Sequence, residues 1–177
     1  EPRRLDALDR AGCRATCCLV GERAAAHPST AHSIVDAGQS LGSHSMTRRR
    51  LLFMSGREIE REIDDSCRAI ADATGVRPLL FRPPYGVFNL ATVRVVRERG
   101  MRMVLWTVLS GDYKAESADV ILARVKPFVR PGAIMVFHDT SEGGGPPLPG
   151  IVHEIAFIAR ENGIRIGTVE ELLSTGE

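Results

Sequence analysis

Four side chains in this 177-residue sequence are of types suited to chemistry and fall where it could be done: His44, Arg82, Asp112 and His138. An imidazole can ligate a metal or move a proton near neutral pH. His44 lies in Ser43-His44-Ser45-Met46-Thr47-Arg48, just after a short strand-like run, and has the form of half a metal site. Four residues on, where a second histidine would complete a tight pair, the sequence has Arg48. His138 follows the apolar run Ile134-Met135-Val136-Phe137, so its imidazole is poised for acid–base work at the end of a buried strand. Plainer readings stay open. His44 is as often a hydrogen-bonded turn histidine as a ligand. Arg82 could pair with Asp112 as a structural ion pair, and Arg48-Arg49-Arg50 could be a solvated loop face. His27, His32 and His153 fall on helices or their edges and are expected at the surface.

The elements that must position these groups read as helices and strands in alternation, with glycines at the helix ends. Helices are expected over residues 1–11, 29–37, 55–74, 90–99, 117–129 and 151–162, with a final turn at 170–173. Strands are expected over 14–20, 40–43, 78–81, 102–108, 133–137 and 164–168. The strongest helix is 55–74. Ser55 can cap it with Glu58 three residues on, and Ile59, Ile63, Cys67, Ile70 and Ala71 recur on one face. The stretch 140–150, rich in Gly and Pro, must be a loop. Alternation of this kind signals right-handed βαβ units and a parallel sheet. In such a fold reactive side chains sit at the carboxyl ends of the strands. Four successive strand ends delivering His44, Arg82, Asp112 and His138 therefore predict a shared cleft. The chain opens on a helix, so the strand that should feed it is missing.

Composition sets the outer limits. Hydrophobic residues make up 44% and charged residues 25%, as in an ordinary globular domain. A net charge of +1 gives a nucleic-acid partner no support. No stretch is long and apolar enough to span a membrane, and no signal peptide is expected within these residues. The chain opens on Glu1-Pro2 without a methionine and reads as a piece of something longer. Cys17 and Cys18 are adjacent, which is no metal-ligand spacing. The four cysteines are expected as buried free thiols, with a disulfide only if Cys67 folds back on another.

These motifs, in this order, resemble the polysaccharide deacetylases of carbohydrate esterase family 4, the NodB homology domain. Residues 42–47 resemble the family's histidine motif, and Phe81-Arg82-Pro83-Pro84-Tyr85-Gly86 its arginine-proline-tyrosine motif. Leu105-Trp106 with Asp112-Tyr113 resembles the motif that normally ends in Asp-Trp. Residues 132–139 resemble the closing motif, with Val136 where leucine is usual. The resemblance covers nearly the whole sequence. It implies an α/β fold, a distorted (β/α)7-type barrel with the first strand missing, and a single N-terminally incomplete domain over residues 1–177. It further implies removal of acetyl groups from N- or O-acetylated sugars in a polysaccharide or oligosaccharide at the cell envelope or outside the cell. The cofactor implied is a divalent metal, usually zinc, held by one aspartate and two histidines.

Carried over by that resemblance, His44 is the first metal histidine and Arg82 the arginine that orients the base. Tyr85 offers a backbone N–H to the oxyanion. Asp112 is an acidic partner that supports the site electrostatically, and His138 is the general acid. Trp106, Val136 and Pro83 line the substrate pocket. Arg48 stands at the second metal histidine, and the family's Thr-Phe-Asp-Asp-Gly stretch does not occur in these residues. Metal binding is accordingly expected to be weak or absent. Three readings follow: a deacetylase domain given as a truncated piece, a degenerate relative that binds acetylated glycan without hydrolysing it, and an inactive fragment with unpaired sheet edges.

Overall fold

A computed structural model describes residues 2–114, 116–138 and 148–174, with side chains from residue 5 onward. In chain order the helices and strands are α1 (Pro2–Arg10), β1 (Thr16–Leu19), α2 (Gly21–Ala26), α3 (Pro28–Asp36), β2 (Ser40–Ser43), α4 (Gly56–Thr74), β3 (Leu80–Phe81), α5 (Leu90–Glu98), β4 (Arg102–Met103), β5 (Val108–Leu109), α6 (Ala118–Val125), β6 (Met135–Val136), α7 (Leu148–Glu161) and α8 (Val169–Ser174). They fall into two compact units. One is Thr16–Leu105. The other joins Glu1–Ala15 to Trp106–Glu177.

The unit Thr16–Leu105 is a four-stranded parallel sheet in the order β1-β2-β3-β4. Helix α4 packs against α2, α3 and α5. Its start is fixed locally: the Ser55 side chain accepts from the Glu58 N–H, and the Glu58 carboxylate accepts from the Ser55 N–H. Its end is fixed by Gly75, whose φ of 74° is the left-handed conformation a side chain resists. Along α4 the spacing of Ile59, Ile63, Cys67 and Ile70 places all four on one buried face. The first three join Leu51, Met54, Phe81, Val95, Val96 and Met101 in one apolar core. Ile63 is fully buried. Ile63→Ala is expected to cost about 2–5 kcal/mol of stability, read as a shift of the denaturant midpoint.

The other unit pairs β5 with β6 in parallel. Val108, Ile121, Val125, Ile151 and Ile155 form its core, with Phe137 and Ile166 packed against them. A smaller cluster of Ala11, Cys13 and Ala156 seats α1 on α7.

Several expected elements change here. The strand expected over 102–108 breaks into β4 and β5, which hydrogen-bond to different partners, β3 and β6. The strands expected over 78–81 and 133–137 shorten to two residues each. Residues 164–168 form no strand among the described residues; instead the Thr168 N–H donates to Glu171 and begins α8. The helix expected over 117–129 tightens into a 3-10 turn at Lys126–Phe128, where Pro127 has no N–H to continue it. Helix α2 was not expected, and α7 begins at Leu148, inside the expected loop; the rest of that loop, with Asp139, lies outside the described residues. None of the four cysteines is paired in a disulfide among the described residues; Cys13 and Cys67 are buried, while Cys17 and Cys18 are only partly so. No described helix is long and apolar enough to cross a membrane.

Candidate functional site

The ends of β2 and β3 bring two of the candidate residues together. Their parallel register sets Ser43 beside Phe81, so His44 and Arg82 follow at neighbouring strand ends. The Arg82 N–H donates to the Ser43 carbonyl at 2.9 Å. His44, 7% exposed, has Nδ1 2.6 Å from the Arg82 carbonyl oxygen. A carbonyl only accepts, so Nδ1 carries the proton and Nε2 is the basic nitrogen. That is the tautomer of a ligating or base-type imidazole. Arg82 is half-buried, and its Nε is buried with no hydrogen-bond partner among the described residues.

The loop after β2 is braced from beneath by α4. Glu62, one position off the apolar face, accepts from the Thr47 N–H at 2.9 Å and from the Thr47 hydroxyl at 2.5 Å. One turn further along, the Ser66 hydroxyl meets the Ser43 hydroxyl at 2.9 Å. Gly21 completes the brace. Its N–H donates to the Ser45 carbonyl, and a Cβ there would lie 2.5 Å from Met46 Sδ and 2.9 Å from the Ser66 Cα. Only hydrogen fits at that approach. None of Glu62, Ser66 and Gly21 was picked out from the sequence as serving the loop. An acid on the strongest helix, adjacent to its apolar row, was the signal that could have shown the first.

Backbone strain gathers in the same two loops. The non-glycine residues with positive φ among those described are Ser45 (64°), Arg48 (59°) and Tyr85 (59°). Each costs about 1–2 kcal/mol relative to ordinary backbone. Arg48 is held there in part by its N–H, which donates to the Ser45 hydroxyl at 3.0 Å. The guanidinium carbons of Arg48 and Arg50 lie 5.6 and 5.2 Å from the centroid of the Tyr85 ring. Contacts of that kind contribute about 0.5–1 kcal/mol each at an exposed site. The arginine run is thus more than a solvated face: Arg49 and Arg50 are exposed, but Arg48 is half-buried against Tyr85. His27, His32 and His153 are all exposed.

In the other unit, β5 and β6 deliver the remaining pair. Asp112, 5% exposed, accepts from the His138 N–H at 2.5 Å and lies 2.8 Å from His138 Nδ1. The Ser110 hydroxyl donates to the same carboxylate at 2.9 Å. Burial pushes the Asp112 carboxyl up, but the hydrogen bonds from the His138 side chain, the His138 backbone and Ser110 together hold it below its ordinary value. Asp112 is therefore an acceptor, so the proton sits on Nδ1 of His138. The Tyr113 ring packs edge-on to the His138 ring, with centroids 5.4 Å apart and planes at 88°. His138 is fixed in tautomer and rotation, with its side chain 19% exposed. That leaves Nε2 as the ring nitrogen able to take up a proton. Of the three residues expected to line a pocket, Pro83 is fully buried and Val136 is 5% exposed. Only Trp106, half-buried, presents surface.

The sequence profile described as polysaccharide deacetylase matches residues 1–104, more than half of the chain. The chain belongs to the polysaccharide deacetylase family. It is 28% identical to the peptidoglycan-N-acetylglucosamine deacetylase PgdA of Listeria monocytogenes over 95% of its length, which is 34% of that protein. The chain therefore spans about a third of that curated relative. Among solved structures, a carbohydrate esterase family 4 pseudoenzyme from Bacillus anthracis matches with a TM-score of 0.90 and 32% identity, over 97% of this chain and 61% of that one. A mutant of that pseudoenzyme with restored enzymatic activity matches equally well, with a TM-score of 0.90. A family 4 acetyl xylan esterase from Clostridium thermocellum, in complex with a cobalt ion, matches with a TM-score of 0.90 and 26% identity, over 98% of this chain and 83% of that one. The α/β fold with parallel strands is that of these polysaccharide deacetylase relatives.

A divalent metal belongs to the chemistry of the polysaccharide deacetylase family. The residue at the second histidine position does not fit one. His44 offers an imidazole of the right tautomer, but Arg48 offers a guanidinium, which is always cationic and has no lone pair to give. Among the described residues no three His, Cys, Asp or Glu side chains gather in a way that could hold a metal ion.

Proposed function

We propose that this chain is a polysaccharide deacetylase domain that engages acetylated glycan and whose metal-assisted hydrolysis is disabled at Arg48. The observation that carries this reading is the placement of the Arg48 guanidinium against Tyr85, at the position where a second histidine would ligate. A guanidinium about 4 Å from a dication would oppose it by up to about 8 kcal/mol at an effective dielectric of 20. That ceiling falls if Arg48 swings away, yet even then the position lacks the second imidazole.

The roles proposed for the other residues are those the family resemblance implies, and their surroundings support them. His44 keeps its basic nitrogen through the Arg82 carbonyl. His138, held by Asp112 and Tyr113, is the acid that would protonate a departing amine or hydroxyl. Tyr85 would offer its backbone N–H to a developing oxyanion, and Trp106, half-buried, would offer its ring to an acetyl methyl. The glycan is an N- or O-acetylated polymer of the cell envelope, in line with relatives that act on peptidoglycan or chitooligosaccharide. Residues 1–177 are proposed to act as one domain.

The retained Asp112–His138 pair favours a second reading, a hydrolase that still turns over. Incubation with an acetylated chito-oligomer and zinc separates the two. The expected result is measurable binding with negligible acetate release. Sustained acetate release would establish the second reading instead.

A further inference from the structure

The loops that follow β2 and β3 carry more positive charge than anything described nearby neutralises. Arg48 and Arg50 both lie on the Tyr85 ring. Among the described residues no carboxylate comes within ion-pair distance of either one. Arg82, three residues before Tyr85, has its buried Nε without a partner among the described residues. A buried donor in that state calls for an acceptor. Three arginines thus lie on two adjacent loops of a chain whose net charge is only +1. Some arginines elsewhere do have carboxylate partners: Arg99 has Asp64, Arg124 has Glu116 and Arg94 has Glu60.

The backbone holds this excess charge in place. Arg48 and Tyr85, which make the contact, are two of the three described non-glycine residues at positive φ, and the third, Ser45, accepts the Arg48 N–H. Strain retained in side-chain-bearing residues needs a surround that enforces it, and it collects where a site is preorganised. That surround is present in the Glu62 bonds to Thr47 and the close approach of Gly21. A ring face attracts a guanidinium without neutralising it. The planar fork of N–H donors matches carboxylate and phosphate oxygens far better than a neutral hydroxyl.

We propose that residues 45–50 and 82–85 form a binding site for an oxyanion carried on a sugar, a uronate carboxylate or a sugar phosphate. Arg48 and Arg50 are its charged receptors, and the exposed part of Tyr85 is the surface the sugar ring lies against. In this account Arg48 does more than spoil a ligand set: it turns a position suited to a cation into one suited to an anion. The proposal rests on the glycan-binding reading above only in taking a sugar as its ligand.

Calorimetric titration of the chain in EDTA tests it, using D-glucuronate, glucose 6-phosphate and neutral N-acetylglucosamine, with a neutral acetylated chito-oligomer run alongside. At least one charged sugar is expected to bind about tenfold more tightly than N-acetylglucosamine. That preference should shrink when the salt is raised from about 0.05 to 0.5 M. The two charged sugars show which oxyanion is preferred. Arg48→Gln and Arg50→Gln, each confirmed as folded by its thermal melt, should each weaken the charged sugar several-fold more than they weaken the neutral oligomer. If either variant unfolds, the other and the salt dependence still decide the matter. Equal binding of charged and neutral sugars, or charged-sugar binding that survives both substitutions, overturns the anion site alone. Failure to bind any sugar, the neutral oligomer included, overturns both this site and the glycan reading.

Discussion

Replacing Arg48 with histidine is expected to raise the affinity of the chain for zinc by about 100-fold or more. Two changes act together. The substitution removes a fixed positive charge, whose opposition to a dication reaches up to about 8 kcal/mol at 4 Å. It also adds an imidazole four residues from His44, whose Nδ1–H is already committed to the Arg82 carbonyl. A 100-fold gain corresponds to about 2.7 kcal/mol, well inside that ceiling and leaving room for Arg48 to move aside in the unaltered chain. The left-handed φ of 59° at residue 48 works against the gain. Histidine tolerates that conformation better than most residues, so the loss is small beside the electrostatic term. Calorimetry on the Arg48→His variant with zinc checks this. An affinity unchanged from the parent chain would mean that Arg48 is not what disables the site. The Bacillus anthracis relative, which matches both as a pseudoenzyme and as a mutant with restored activity, shows that loss and recovery of activity both occur on this fold.

The second large effect is expected at Asp112. Its carboxylate is buried and accepts from the His138 N–H, His138 Nδ1 and the Ser110 hydroxyl. Asp112→Ala leaves those donors facing a cavity, and removal of one partner from a buried, hydrogen-bonded pair costs about 3–5 kcal/mol. Thermal or denaturant unfolding reads the loss. Asp112→Asn keeps the shape and one acceptor oxygen, so it should cost less while removing the charge that holds His138 in its tautomer. The same carboxylate makes the chain sensitive to acid. Its folded pKa is depressed below the ordinary value of 3.8. The stability it contributes is therefore fully present above that value and is lost as pH falls through the folded value. Below pH 4 the parent chain should lose stability more steeply than Asp112→Asn; parallel curves would show that the depression is not real.

The parts of this account visible in the sequence are those fixed by neighbours in the chain. Ser55 and Glu58 form the capping box expected of them, and the row from Ile59 to Ile70 faces the core as its spacing requires. The strand at 40–43 appears where expected and delivers His44. What the sequence did not show depends on partners far along the chain. Residues 102–108 have the apolar, β-branched character of one strand, yet Arg102 and Met103 pair with β3 while Val108 and Leu109 pair with β6. Ile164–Thr168 has the same character, but its Thr168 N–H is taken up by Glu171. The strand-end placement of His44, Arg82, Asp112 and His138 was legible, and the structure pairs the first two in one unit and the last two in the other. The contact of Arg48 and Arg50 with Tyr85 was not legible. It requires left-handed backbone at residues 48 and 85, and neither arginine nor tyrosine advertises that conformation.

The most direct test of the central claim is calorimetric titration of the unaltered chain with zinc at neutral pH. The account predicts no stoichiometric binding at micromolar zinc, because Arg48 stands where a second imidazole is needed. Tight one-to-one binding by the chain with Arg48 in place would contradict it.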